Sequence, residues 1–183
     1  MWNAIAFVFL TLVLTYISRN SLRSPRSHGF YRFFAWECIL GLFLVNVNFW
    51  FIQPFAWNQL ISWTLLFASF IPLGFGIHFL RTQGKQVDKR EGDPSLLAFE
   101  KTTNLITSGI YKYIRHPLYC SLLLLTWGIF FKHLILTAAT LAVTATVFLV
   151  FTAKADEAEC TRFFGNPYQD YMKRTKMFIP YIF

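Results

Sequence analysis

Residues 109–119 read G-I-Y-K-Y-I-R-H-P-L-Y and run directly into an apolar stretch over 118–131, L-Y-C-S-L-L-L-L-T-W-G-I-F-F. A glycine, three tyrosines, two cations, a histidine and a proline crowd into eleven residues just before that run. Such a polar collar belongs where a chain about to enter lipid is still in contact with water.

The composition around it agrees. Of 183 residues, 55% are hydrophobic and 20% aromatic, with Phe alone at 22 positions. A soluble domain of that size has no means of hiding so much apolar surface, whereas a bundle of membrane helices presents it to lipid. The net charge of +8 is thus a matter of topology and not of nucleic acid. Cys38, Cys120 and Cys160 are odd in number and lack ligand spacing, so neither a disulfide framework nor a metal site is expected.

Outward from the collar, the apolar runs predict an all-α, polytopic protein with about five transmembrane helices, over 2–17, 30–52, 59–80, 118–131 and 134–153. No basic residue precedes the first run and Arg19, Arg23 and Arg26 follow it, the reverse of a cleavable signal peptide. Of 17 Lys and Arg, all but Lys132 fall in 19–32, 81–115 or beyond 153. With five crossings those regions share one side, giving an external N-terminus and a cytosolic C-terminus. Residues 82–108 read as a long cytosolic flap, its charged part solvated and 96–106 folding back to the membrane. Helix continues over 156–164, Gly165 stops it, and Asn166-Pro167 opens an interfacial helical tail with Tyr168, Tyr171, Met172 and Phe178 as anchors.

Three groups of residues are candidates for chemistry. Pro117 suits the first turn of a helix with His116 at its cap, which turns the positive end of the helix dipole to the cytosolic layer beside Arg115. That arrangement suits a small anion, although a snorkelling Arg and a capping His explain the same residues. Asp156 and Glu157, with Glu159 near, sit where the last helix leaves the membrane and need cations or ligand donors to meet them. Glu37, with Asn46 and Asn48, is a polar group inside a span, either functional or glue between helices. His28, His78 and His133 read as interfacial.

Residues 105–119, L-I-T-S-G-I-Y-K-Y-I-R-H-P-L-Y, and 156–171, D-E-A-E-C-T-R-F-F-G-N-P-Y-Q-D-Y, together resemble the isoprenylcysteine carboxyl methyltransferase and phospholipid methyltransferase family. The resemblance implies an integral membrane, S-adenosylmethionine-dependent methyltransferase acting on a lipid or lipid-linked acceptor drawn from the bilayer, with neither nucleic acid nor metal as partner. It implies cofactor contacts from Thr103, Asn104, Leu105, Ile106, Tyr111, His116, Pro117, Leu118, Tyr119, Asp156 and Glu157, with Arg115 and Glu157 in catalytic roles. One membrane domain over 1–183 then divides into an acceptor-side half, 1–81, the loop 82–108, and a cofactor-binding half, 109–183. The setting is a bacterial inner membrane, or an ER-type membrane in a eukaryote.

Two departures bear on the acceptor and on the rival readings. Thr152 stands where the carboxyl methyltransferases that this chain resembles have an arginine, which leaves the acceptor open among a carboxylate, an amine and a thiol. Related sterol reductases follow their R-H-P-like motif with N-Y-x-G-E, where this chain has L-Y-C-S. The alternatives are a non-catalytic, lipid- or partner-binding protein of the same fold and an NADPH-dependent reductase.

Overall fold

The computed structural model describes residues 2–85 and 102–182. Residues 86–101, which hold the charged part of the expected flap and the first part of the 96–106 segment expected to fold back, lie outside the described residues. The helices are α1 (Trp2–Ile17), a single turn α2 (Arg19–Leu22), α3 (His28–Asn46), α4 (Trp57–Gln83), α5 (Pro117–Phe130), α6 (Leu136–Phe164) and α7 (Asn166–Arg174), with 3-10 turns at Val47–Phe49 and Gly109–Lys112. The all-helical class expected from the apolar runs is what the described residues show.

Local chemistry sets most boundaries. Ser27 caps α3 by accepting the Phe30 N–H at 3.2 Å, Pro117 opens α5, and Gly165 ends α6 at φ 65°, a conformation that glycine adopts without strain. The second expected span overshoots: regular α3 ends at Asn46, whose amide leaves its own helix and donates to the Ile129 carbonyl at 2.9 Å. A tighter turn and an irregular corner follow, with Gln53 at φ 47°.

Three helical segments, His28–Phe49, Trp57–Gln83 and Leu136–Phe164, are long and apolar enough to cross a membrane. α1 and α5 are apolar but shorter, 16 and 14 residues, or roughly 24 and 21 Å against a hydrocarbon layer of about 30 Å. α5 compensates at its far end by withdrawing its charge. Lys132 is 2% exposed, and its ammonium donates to Gln59 Oε1 at 3.0 Å and lies 3.4 Å from the centroid of the Trp63 ring. In the sequence Lys132 stands out only as the cation outside the three basic regions, because cation, amide and indole come from separate segments.

The core lies between α3, α4, α5 and α6. Ala138, Ala142, Ala145 and Leu149 line one stripe of α6 and are fully buried, so α3 approaches α6 closely, as small residues permit between membrane helices. α4 and α5 are equally intimate. Ser62 Oγ donates to the Gly128 carbonyl at 2.7 Å, and a Cβ on Gly128 would come within 2.9 Å of the Leu66 side chain. These two close pairings place the start of α5 beside the far end of α6, at the level of the tail.

Candidate functional site

The loop before α5 is built onto the end of α4. The Thr103 and Asn104 amides both donate to the Gly84 carbonyl, at 3.1 and 3.2 Å, and Ser108 Oγ donates to Gln83 Oε1. Gly109 takes φ 59° with the Phe79 ring against it, where a Cβ would lie 2.0 Å from a ring carbon. Only glycine fits, and its turn sends the chain into the R-H-P segment. Tyr111 is then buried and reaches the Gly76 carbonyl at 3.4 Å.

The tail closes the other side as a strap and not as a surface anchor. Residues 113–116 and 176–177 pair in parallel: Lys176 N–H donates to Tyr113 O at 3.1 Å, Arg115 N–H to Lys176 O at 2.8 Å, and His116 N–H to Met177 O at 3.2 Å. Tyr168, Tyr171 and Phe178 are 4%, 4% and 3% exposed, and Tyr171 donates its hydroxyl to the Tyr111 carbonyl at 2.7 Å. The anchor reading of these three is therefore corrected. Their apolar side faces the protein, because the strap pairing turns it inward.

Between loop, α6 and tail lies a cavity. Of the residues expected at a site, Asn104, Leu105, Ile106, Tyr111, Arg115, His116, Pro117, Leu118, Tyr119 and Asp156 line it, while Thr103 and Glu157 do not. Thr103 instead donates to the Lys85 carbonyl at 3.1 Å. His28, Cys160, Phe164, Tyr168 and Tyr171 join the wall without having been singled out for it.

The two adjacent carboxylates divide their work. Glu157 accepts from Arg115 Nε at 2.7 Å, and Arg115 Nη1 donates onward to the carbonyls of Thr175 and, at 3.3 Å, Met172. These contacts occupy Nε and Nη1 of Arg115 in tying α6 to the tail. Asp156 is turned to the cavity, with its Oδ2 3.4 Å from His116 Nδ1, while His116 Nε2 is 3.3 Å from Glu157 Oε1. His116 occupies the cap position of α5 as expected, and its ring makes no capping bond there, turning instead to the two acids. Burial disfavours its cation, but the contacts with the Asp156 and Glu157 carboxylates outweigh burial and raise its pKa above the usual imidazole value. Burial also pushes the Tyr168 and Tyr171 phenols up, so both are neutral hydroxyls.

His28 is the contribution that sequence reasoning missed. It opens α3, is fully buried, and meets Glu159 twice, through its backbone N–H at 2.9 Å and through Nδ1. The His28 ring and the Asp156 and Glu159 carboxylates lie within 4.8 Å of one another. A separation of 131 residues hides that contact from any local pattern; the capped start Ser27-His28 was its only local sign. Thr152 is fully buried, its hydroxyl donating to Phe148 O of its own helix at 2.7 Å. Glu37 accepts from Thr11 Oγ1 at 2.7 Å, joining α1 to α3 away from the cavity.

Known proteins match part of this chain. The chain is 25% identical over 126 residues to a methanethiol S-methyltransferase of Crocosphaera subtropica, a match covering 67% of this chain and 44% of that protein. It is 27% identical over 74 residues to a methanethiol S-methyltransferase of Pseudomonas deceptionensis, covering 40% of this chain and 28% of that one. The matches thus span less than half the length of these curated relatives. No solved structure matches. Residues 95–160 match the model of the Isoprenylcysteine carboxyl methyltransferase (ICMT) family, so the likeness carried by the two motifs is to that family, over the loop wall of the cavity, all of α5, and α6 as far as Cys160.

Proposed function

We propose that this chain is an integral membrane methyltransferase that holds S-adenosylmethionine in the cavity between the R-H-P loop, α6 and the tail. The observation that carries the reading is the wall itself: one carboxylate, Asp156, among Tyr111, Tyr119, Phe164, Tyr168 and Tyr171, at the opening end of α5. Aromatic faces suit an adenine ring and a sulfonium. Asp156 suits ribose hydroxyls or an ammonium, and the positive end of the α5 dipole suits a carboxylate. When bound, the cofactor supplies a methyl group already activated on sulfur.

The protein's own work is then alignment and exclusion of water, which for well-oriented partners lowers a barrier by several kcal/mol, up to about 10. Asp156, held by His116, orients the cofactor. Glu157 and Arg115 act one step back, as the pair that closes the tail over the cavity. The external N-terminus, cytosolic C-terminus and lateral entry of the acceptor from the bilayer belong to the same reading, with the cavity in the cytosolic layer.

For the acceptor we favour a thiol over a carboxylate. The relatives are methanethiol S-methyltransferases by name, and Thr152 puts a sealed, neutral contact where a carboxylate would need a cation. A thiol and an amine must both release a proton on transfer, but an ordinary thiol does so with a pKa of about 8.5 against about 10.4 for an amine, and its thiolate is the strong nucleophile.

Membranes containing the protein are incubated with methyl-labelled S-adenosylmethionine, with and without a small alkanethiol. Thiol-dependent label in a volatile thioether is the expected result; label in lipid or in prenylated peptide instead overturns the thiol assignment. Calorimetry with S-adenosylhomocysteine and NADPH tests the cofactor. Binding of NADPH alone, or of neither, overturns the reading as a methyltransferase.

A further inference from the structure

The arrangement around His116 carries more than a contact to the cofactor. Its two ring nitrogens each lie against a different carboxylate, Nδ1 at 3.4 Å from Asp156 and Nε2 at 3.3 Å from Glu157. A neutral imidazole has one N–H and one lone pair, so it can satisfy only one of these oxygens and must turn a lone pair on the other. Only the doubly protonated ring donates to both.

We propose that His116 is a positioning residue whose doubly protonated ring clamps Asp156 and Glu157 in their present places and thereby sets an upper pH limit on ligand binding in the cavity. Asp156 and Glu157 are neighbours on α6 whose charges repel each other. Arg115 Nε serves Glu157, while the His116 ring reaches both acids. The ring stacks on Tyr119 at 5.3 Å, with the tilted Phe178 ring 6.2 Å away on the tail. When the ring loses its proton, the two acids repel without a bridge, and Asp156, left with the Cys160 thiol at 3.5 Å and His28 nearby, is held less firmly at the wall.

The groups facing the ring are few. From α6 they are Asp156 and Glu157, with Glu159, paired on His28, beyond Asp156 and Cys160 a turn further. From its own loop there is the cation Arg115, paired on Glu157; the others, Tyr119 from α5 and Tyr168, Tyr171 and Phe178 from α7 and the tail, are neutral. The raised pKa of His116 agrees with the geometry. For its ligand the inference rests on the proposed cofactor; the clamp itself does not.

The test therefore has two independent readouts. In detergent-solubilised protein with labelled histidine, the four imidazoles are followed by NMR from pH 5.5 to 9.5 and assigned by single substitution. If His116→Gln does not fold, substituting His28, His78 and His133 one at a time identifies the remaining signal as His116. That signal is expected to titrate above the ordinary imidazole value of about 6.5, and to move down in Asp156→Asn. Titration at or below the ordinary value overturns the clamp.

In parallel, S-adenosylhomocysteine affinity of the wild-type protein is expected to fall with rising pH by up to about tenfold per unit above that titration, the limit for one linked proton. The His116→Gln protein should show a weaker and flatter profile. Wild-type affinity that stays flat across the His116 titration also overturns the proposal. Should S-adenosylhomocysteine fail to bind at every pH, the cofactor reading falls, and the imidazole titration still decides the clamp.

Discussion

At the scale of single residues, adjacent carboxylates on one helix carry different duties, and substitution separates them. Asp156 faces the cavity, so Asp156→Asn should weaken S-adenosylhomocysteine binding by about 1.5–3 kcal/mol, the worth of a hydrogen bond to a charged group, with the larger effect on binding and a smaller one on melting temperature from the lost ion pair with His116. Arg115→Ala should do the opposite. It leaves Glu157, 11% exposed, with His116 Nε2 at 3.3 Å as its remaining cationic partner and frees the Thr175 and Met172 carbonyls, at a stability cost of about 1.5–3 kcal/mol. Its binding defect should be recoverable at low temperature, where the tail stays seated. Thermal melting and calorimetry on the two variants distinguish these outcomes.

Thr152→Arg makes a sharper residue-scale case. Placing a guanidinium at a fully buried threonine should lower thermal stability, without conferring methylation of a prenylcysteine carboxylate. Retained stability with new carboxylate activity, measured on a prenylated peptide, would reverse that view of the acceptor pocket.

At the scale of elements, the site depends on where α5 begins, and α5 is placed by its contact with α4. Gly128→Val pushes a branched side chain into Leu66 and into the backbone beneath it, where the space for even a Cβ is 2.9 Å. Overpacking of this kind costs about 1–3 kcal/mol. A displaced α5 carries Pro117, Leu118 and Tyr119 with it, so ligand affinity should fall together with stability. Gly74→Ala, with open space around it, is the matched control and should leave both unchanged. The tail is the second element on which the cavity depends. Ending the chain after Thr175 removes the strap pairing of Lys176 and Met177 with 113–116, and should abolish S-adenosylhomocysteine binding while the helices, followed by circular dichroism, persist.

At the scale of the whole molecule, His28 and Glu159 join the first helices to the last. Glu159→Gln keeps the shape but loses the ionic half of the contact, and should loosen α3 from α6 enough to increase cleavage of the 19–27 segment by a soluble protease. Orientation is tested at the same scale. Single cysteines placed in 23–26 and 173–176 should react with impermeant thiol reagents only from the cytosolic side, and one at 53–55 only from the other.

The helical class, the positions of the apolar runs, the polar collar at 109–119 and the meeting of that collar with the Asp156-Glu157 pair were legible in the order of the amino acids. Each of these rests on local information: hydropathy over one segment, a proline that opens a helix, a glycine that closes one, charge placed beside apolar runs. Tertiary structure alone decided which of two neighbouring acids faces the cavity, that Nε and Nη1 of Arg115 are occupied in holding the tail, that Tyr168 and Tyr171 are wall and not anchor, and that His28 completes the site. Those depend on side-chain direction and on contacts between segments as much as 131 residues apart. Hydrogen bonds and ion pairs act over a few ångströms of space, and sequence distance says nothing about which groups come that close.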